Sequence, residues 1–218
     1  MGKQWVRQQI RHDEMHDVVD KGLLWIEKNR QTAAMGAGAI VVVAIILVAT
    51  FSHARNARAQ AWDRLSLAQS YAYSGVPQAA LAQFDQLRRD HPNSDAAGFA
   101  TVFAGDVHFQ RAEYKEAADE YSKIIERGLP KGLQPVALAD LAITQESAGQ
   151  AQQAAQTAQR FLDAFPDHYL APQVHACLAR SLLAAGQKDQ AKAAFQKISL
   201  QYPDTSWAAW AQSQLKSS

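Results

Sequence analysis

Apolar positions along this chain follow two different rules. Over residues 172–202 they recur at helical spacing in two short stretches. Val174, Leu178, Leu182 and Leu183 share one face of a helix predicted over 172–185. Ala191, Ala194, Phe195 and Ile198 share one face of a second, over 189–202. Gly186 stands between them, where a left-handed residue ends the first helix at little cost to glycine. Pro203 stops the second, because proline has no N–H to donate. Over Ala33–Phe51 the apolar run is instead unbroken for 19 residues. A buried soluble helix is not expected to be apolar on all sides, as Val41–Val48 is.

The paired-helix pattern repeats. Gly75, Ala112, Gly149 and Gly186 each open a copy, spaced by 37 residues. Each is followed by an alanine (Ala80, Ala117, Ala154, Ala191) and then by a mostly aromatic position (Phe84, Tyr121, Ala158, Phe195). The copies close at Pro92, Leu129, Pro166 and Pro203, with Pro130 following Leu129 in the second. Such a period means stacked supersecondary units. The alanine lets neighbouring backbones approach, and the aromatic fills the space beside it. This arrangement resembles the tetratricopeptide repeat, a 34-residue motif with alanine, aromatic and terminal proline at these offsets. The resemblance covers residues 61–203, is weakest in the third copy, and leaves three extra residues per period for a turn or helix end. It implies an all-α, right-handed solenoid of four helix pairs. Ser206–Leu215, with Gln212, Ser213 and Gln214 exposed, is then a polar capping helix.

The unbroken run lies within an apolar segment, residues 31–54, that has no ionisable side chain except His53. Its core approaches the ~20 residues needed to span hydrocarbon. Lys28 and Arg30 flank one end, Arg55 and Arg58 the other, and Trp25 is placed for an interfacial belt. One transmembrane helix is expected. A cleaved signal peptide is the competing reading, with Ser52-His53-Ala54 as cleavage site, against which stand the run's length and the thirty residues before it. Lys3, Arg7, Arg11, Lys21, Lys28 and Arg30 hold the short side in the cytoplasm and place residues 55–218 in a bacterial periplasm; Arg55 and Arg58 oppose this locally. Residues 1–30 carry a helical face of Met15, Val18, Val19, Gly22, Leu23 and Ile26, either an amphipathic arm on a membrane or partner, or a weakly structured tail. Ala33/Ala37 and Ala34/Gly38 are small-residue pairs at the spacing of packed membrane helices.

Charge narrows the function. From Arg55 onward sixteen basic residues balance sixteen acidic ones, which argues against a nucleic-acid surface. The single cysteine, Cys177, permits no internal disulfide and reads as a small buried hydrophobe. His12 and His16 lie one turn apart without a third ligand, so no metal site is expected. No phosphate loop or nucleophile elbow occurs, and neither an enzyme nor a cofactor is expected.

The resemblance implies a concave groove lined by the second, fifth, ninth and twelfth positions of each first helix. The candidate partner-binding residues are Trp62, Gln69, Phe99, Asp106, Phe109, Ile143, Glu146 and Arg180. Leu65, Gln69, Val102 and Asp106 stand where chaperone-tail binders place Lys, Asn and Arg, so a dicarboxylate clamp is not expected. The layout of arm, membrane helix and repeats is similar to ancillary subunits of the bacterial Sec translocon (YfgM-like). That resemblance implies a non-catalytic module in the inner membrane, linking the translocon to periplasmic chaperones or emerging clients. A structural accessory subunit of a respiratory, photosynthetic or cell-envelope complex is the alternative; a cytoplasmic-facing adaptor is a third.

Overall fold

A computed structural model describes residues 22–128 and 130–217. Most of the expected N-terminal arm and the Leu129 closing position lie outside the described residues. Those described form two units, divided after Asn56, and no strand occurs among them.

In the N-terminal unit, residues 22–28 are helical and a long helix, α1 (Arg30–Tyr73), begins. α1 contains an 18-residue window of mean hydropathy 2.6 with none of its residues buried. Ile40, Val41–Val43 and Ile45–Val48 are all more than half exposed. The hydroxyls within this stretch are satisfied internally. Thr50 Oγ1 donates to the Leu47 carbonyl at 3.0 Å and Ser52 Oγ to that of Ala49 at 2.9 Å. By length and composition the helix can cross a bilayer.

In the second unit, residues 57–73 of α1 are followed by α2 (Pro77–Asp90), α3 (Asp95–Gln110), α4 (Tyr114–Arg127), a 3-10 turn (Lys131–Leu133), α5 (Gln134–Ser147), α6 (Ala151–Ala164), α7 (Ala171–Ala184), α8 (Lys188–Gln201) and α9 (Ser206–Ser217). The helices predicted over 172–185 and 189–202 begin and end within one residue of α7 and α8. From α3 onward each helix packs on its chain neighbour, and α5 also touches α7. We call 57–73, α3, α5 and α7 the first helices of repeats one to four, and α2, α4, α6 and α8 the second.

The 37-residue register is visible in the backbone. Gly75, Ala112, Gly149 and Gly186 all have positive φ, between 59° and 78°. The next N–H in each turn reaches back five residues: Val76 to Tyr71, Glu113 to His108, Gln150 to Gln145 and Gln187 to Leu182, at 2.8–3.0 Å. This is the 6→1 bond of a Schellman cap, which satisfies carbonyls the helix end would otherwise orphan. Ala112 holds the same conformation with a Cβ, which disfavours it.

The core follows the same register. Ala80, Ala117, Ala154 and Ala191 are at most 1% exposed, and Phe84, Tyr121, Ala158 and Phe195 at most 2%. Repeat three, which lacks the aromatic, compensates one turn later. Where the others carry Leu87, Ile124 and Ile198, it has Phe161, fully buried against Phe165 and His168. The ring is thus moved, not lost. Cys177 is wholly buried, as expected of a small hydrophobe, and burial pushes its thiol up to about 12. In α9, Ala208 and Ala211 are buried and the Trp210 ring lies 5.4 Å from that of Phe195, while Gln212 and Ser213 are exposed. Gln214, expected to be exposed, is half-buried.

Candidate partner-binding groove and its acidic pocket

The eight candidate residues fall on the first helices of the four repeats, in three local environments. In repeats one and two, Trp62 and Phe99 are half-buried, with ring centroids 5.4 Å apart across neighbouring helices, and Phe99 continues to Phe103 at 6.2 Å. Gln69 is half-buried one turn beyond Leu65. Much of this aromatic surface therefore packs repeat on repeat, leaving the rings partly exposed.

In repeats three and four, Glu146 and Arg180 hold each other. Arg180 Nε donates to Glu146 Oε1 at 2.6 Å and Nη2 to Oε2 at 2.7 Å. The bidentate fit orients both groups. The Arg180 guanidinium also lies over the Trp210 ring, 5.7 Å from its centroid. These two candidates join α5, α7 and α9, and their charges are neutralised within the array.

Asp106, Phe109 and Ile143 come together between repeats two and three. With Gln110, Tyr121, Asp140 and Thr144 they line a pocket of about 310 Å³. Tyr121 rises from α4 beneath it and donates its hydroxyl to Asp106 Oδ1 at 2.7 Å. The ring fits because residue 105 is glycine. A Cβ there would lie 2.6 Å from Tyr121 Cε1. The corresponding positions of the other repeats carry Ala68, Ala142 and Ala179 opposite residues without a hydroxyl. Asp140 has no hydrogen bond or ion pair among the described residues. Burial, then the neighbouring Asp106 charge, pushes it up to about 7. Asp106 is raised as well, by burial, against the Tyr121 hydrogen bond that favours its charged form. Thr144 is 1% exposed and its Oγ1 has no partner.

Asp140, Thr144 and the Tyr121 hydroxyl were missed by sequence reasoning. A signal existed for the first: Asp140 interrupts the otherwise apolar Val136–Ile143 stretch, where the register puts Phe103 and Cys177 in neighbouring copies. Among the described residues no cluster of three or more His, Cys, Asp or Glu could hold a metal ion.

Two segments, residues 64–94 and 146–215, match tetratricopeptide repeat family profiles. Residues 57–217 form an array of tetratricopeptide-like helix pairs. The fold is shared with solved structures at low identity. TPR-like repeats of a kinesin-light-chain-type protein from Podospora anserina align with a TM-score of 0.59 at 15% identity, over 72% of this chain and 84% of that one. A tetratricopeptide repeat protein from Parabacteroides merdae gives 0.60 at 16%, over 72% of this chain and 59% of that one. MamA from Desulfovibrio magneticus gives 0.55 at 18%, over 66% and 78%. No curated protein matches the sequence. Tetratricopeptide repeats are protein-interaction scaffolds.

Proposed function

We propose that the protein is a membrane-anchored interaction module whose tetratricopeptide groove captures a protein partner. Of its possible settings we favour a bacterial inner membrane, with the array in the periplasm linking the secretion translocon to chaperones or emerging clients. The half-buried lining of Trp62, Phe99, Asp106, Phe109 and Ile143 carries the groove reading, since unlike Glu146 and Arg180 it keeps apolar edges and an unpaired pocket on one face. The exposed apolar window of α1 supports the anchor, because an all-round apolar helix in water would be a costly surface. Basic residues on the short N-terminal side support the orientation.

Co-purification of the full chain from native membranes in mild detergent tests this. Photo-crosslinkers at Phe99 and Phe109 should capture the partner, and one at the exposed Leu200 should not. Recovery of translocon components with chaperones supports the linker. A single stoichiometric membrane complex, crosslinked only through residues 31–54, makes the protein a structural subunit. Release of the chain by alkaline carbonate removes the anchor.

A further inference from the structure

The pocket between α3 and α5 combines groups that a free-standing array has no use for. Its walls are apolar, from Phe109 and Ile143. Its polar groups are two carboxylates, Asp106 and Asp140, the Tyr121 hydroxyl bonded to the first, the Gln110 amide at the exposed rim, and the Thr144 hydroxyl, which is buried without a partner. Burying carboxylates that no cation neutralises, and a hydroxyl bond left unmade, costs stability. The charge is not balanced locally: no ion pair to either aspartate occurs among the described residues, whereas Glu146, nearly two turns beyond Asp140 along α5, has its arginine. The feature is particular to this interface. The positions equivalent to Asp106 are Gln69, Ile143 and Arg180, so no other repeat presents this acid.

Resting on the groove reading above, we infer that this pocket receives a lysine or arginine side chain from the segment lying in the groove. The chemistry selects that class. A long basic side chain has an alkyl stem for the Phe109 and Ile143 walls and a charged head for the two carboxylates. The Phe109 ring adds cation–π attraction. A hydrated divalent cation would waste the apolar walls, and a carboxylate would be repelled. The size agrees, since about 310 Å³ is at the bottom of the ~300–1,000 Å³ range of small-molecule pockets and suits a side chain. Tyr121 holds Asp106 in place through its hydroxyl, and Thr144 offers an acceptor for an ammonium proton. Asp140 is raised by burial and then by the Asp106 charge, and entry of a cation offsets the second.

The test uses the full chain in detergent and a fluorescent peptide, Gly-Leu-Gly-Lys-Gly-Leu-Gly, against the same peptide with norleucine for lysine. The lysine peptide should bind at least about tenfold tighter, a difference of about 1.4 kcal/mol. Asp140→Asn and Asp106→Asn should each abolish that preference while leaving thermal midpoints unchanged or higher, which separates lost binding from lost folding. Thr144→Val should weaken the preference a few-fold. Equal affinity for the two peptides, or failure of the lysine peptide to saturate by millimolar concentration, overturns the inference. So does a preference that survives Asp140→Asn. Butylammonium competing as well as the peptide would assign the pocket to a free amine instead. If both peptides bind alike and Phe99→Ala weakens both, the groove stands and the pocket falls. A lysine preference indifferent to Phe99→Ala keeps the pocket and removes the groove reading.

Discussion

The interface between repeats two and three and that between repeats three and four solve the same packing problem with opposite electrostatics. At the second, Glu146 and Arg180 close on each other, and Arg180 also on Trp210, so these two charges are paired. At the first, Asp106 and Asp140 face a pocket with no cation, and a buried threonine hydroxyl is left unmade. α5 packs directly on α7, whereas α3 and α5 approach each other less closely and leave the pocket between them. A closed interface holds the array together. An open one leaves interaction energy to be collected on binding.

Gly105→Ala should break the open interface most strongly. Its Cβ would lie 2.6 Å from the Tyr121 ring, and both sit in a packed core. A loss of about 2–3 kcal/mol is expected, read from chemical denaturation. The equivalent Ala142→Gly at the closed interface should cost about 1 kcal/mol, as a plain helix substitution.

Asp140→Asn should stabilise, and its pH dependence carries the sign. The carboxyl titrates near 3.8 when unfolded and about 7 when folded. Its favourable contribution is therefore complete below pH 4 and is lost as pH rises toward 7. The thermal midpoint of the native chain should fall across that window, and the asparagine variant should flatten the fall. At pH 8 the gain should be about 1–2 kcal/mol, discounted for partial exposure of the pocket. A variant less stable than the native chain at pH 8 would mean Asp140 has a partner after all.

Glu146→Gln tests the closed side. Arg180 is 45% exposed in its side chain, so the pair is screened. The expected loss is below about 1 kcal/mol and should shrink in high salt. A salt-independent loss of several kcal/mol would show that this pair is structural to a degree exposure does not predict. Smallest of all, Ala112→Gly should stabilise by about 0.5–1 kcal/mol by relieving the left-handed alanine that ends α3. Gly149→Ala, at the turn after α5, should cost a similar amount.

The repeat register was legible because each copy needs the same few things at the same offsets. A positive-φ residue must end each first helix, and Gly75, Gly149 and Gly186 announce it. Small alanines must sit where helices cross, and Ala80 through Ala191 announce that. The third copy looked weakest because its aromatic had moved from position 158 to Phe161, a shift of one helical turn that leaves the ring in the same core. The apolar window of α1 was equally legible, since an all-round apolar helix needs no tertiary information to be seen. The groove was legible only as a set of positions. Which of them pair with each other depends on distances between helices 34 or more residues apart in sequence, as for Arg180 with Glu146.

Sequence alone therefore determined the period, the helix pairs, the turns and the apolar segment, because each depends on local backbone preference or on a face of one helix. Only the tertiary structure decided that Glu146 and Arg180 neutralise each other while Asp106 and Asp140 share a pocket with no cation. Charge pairing depends on where neighbouring repeats bring side chains together. Spacing along the chain cannot say whether an acid will meet a base, another acid, or open space waiting for a ligand.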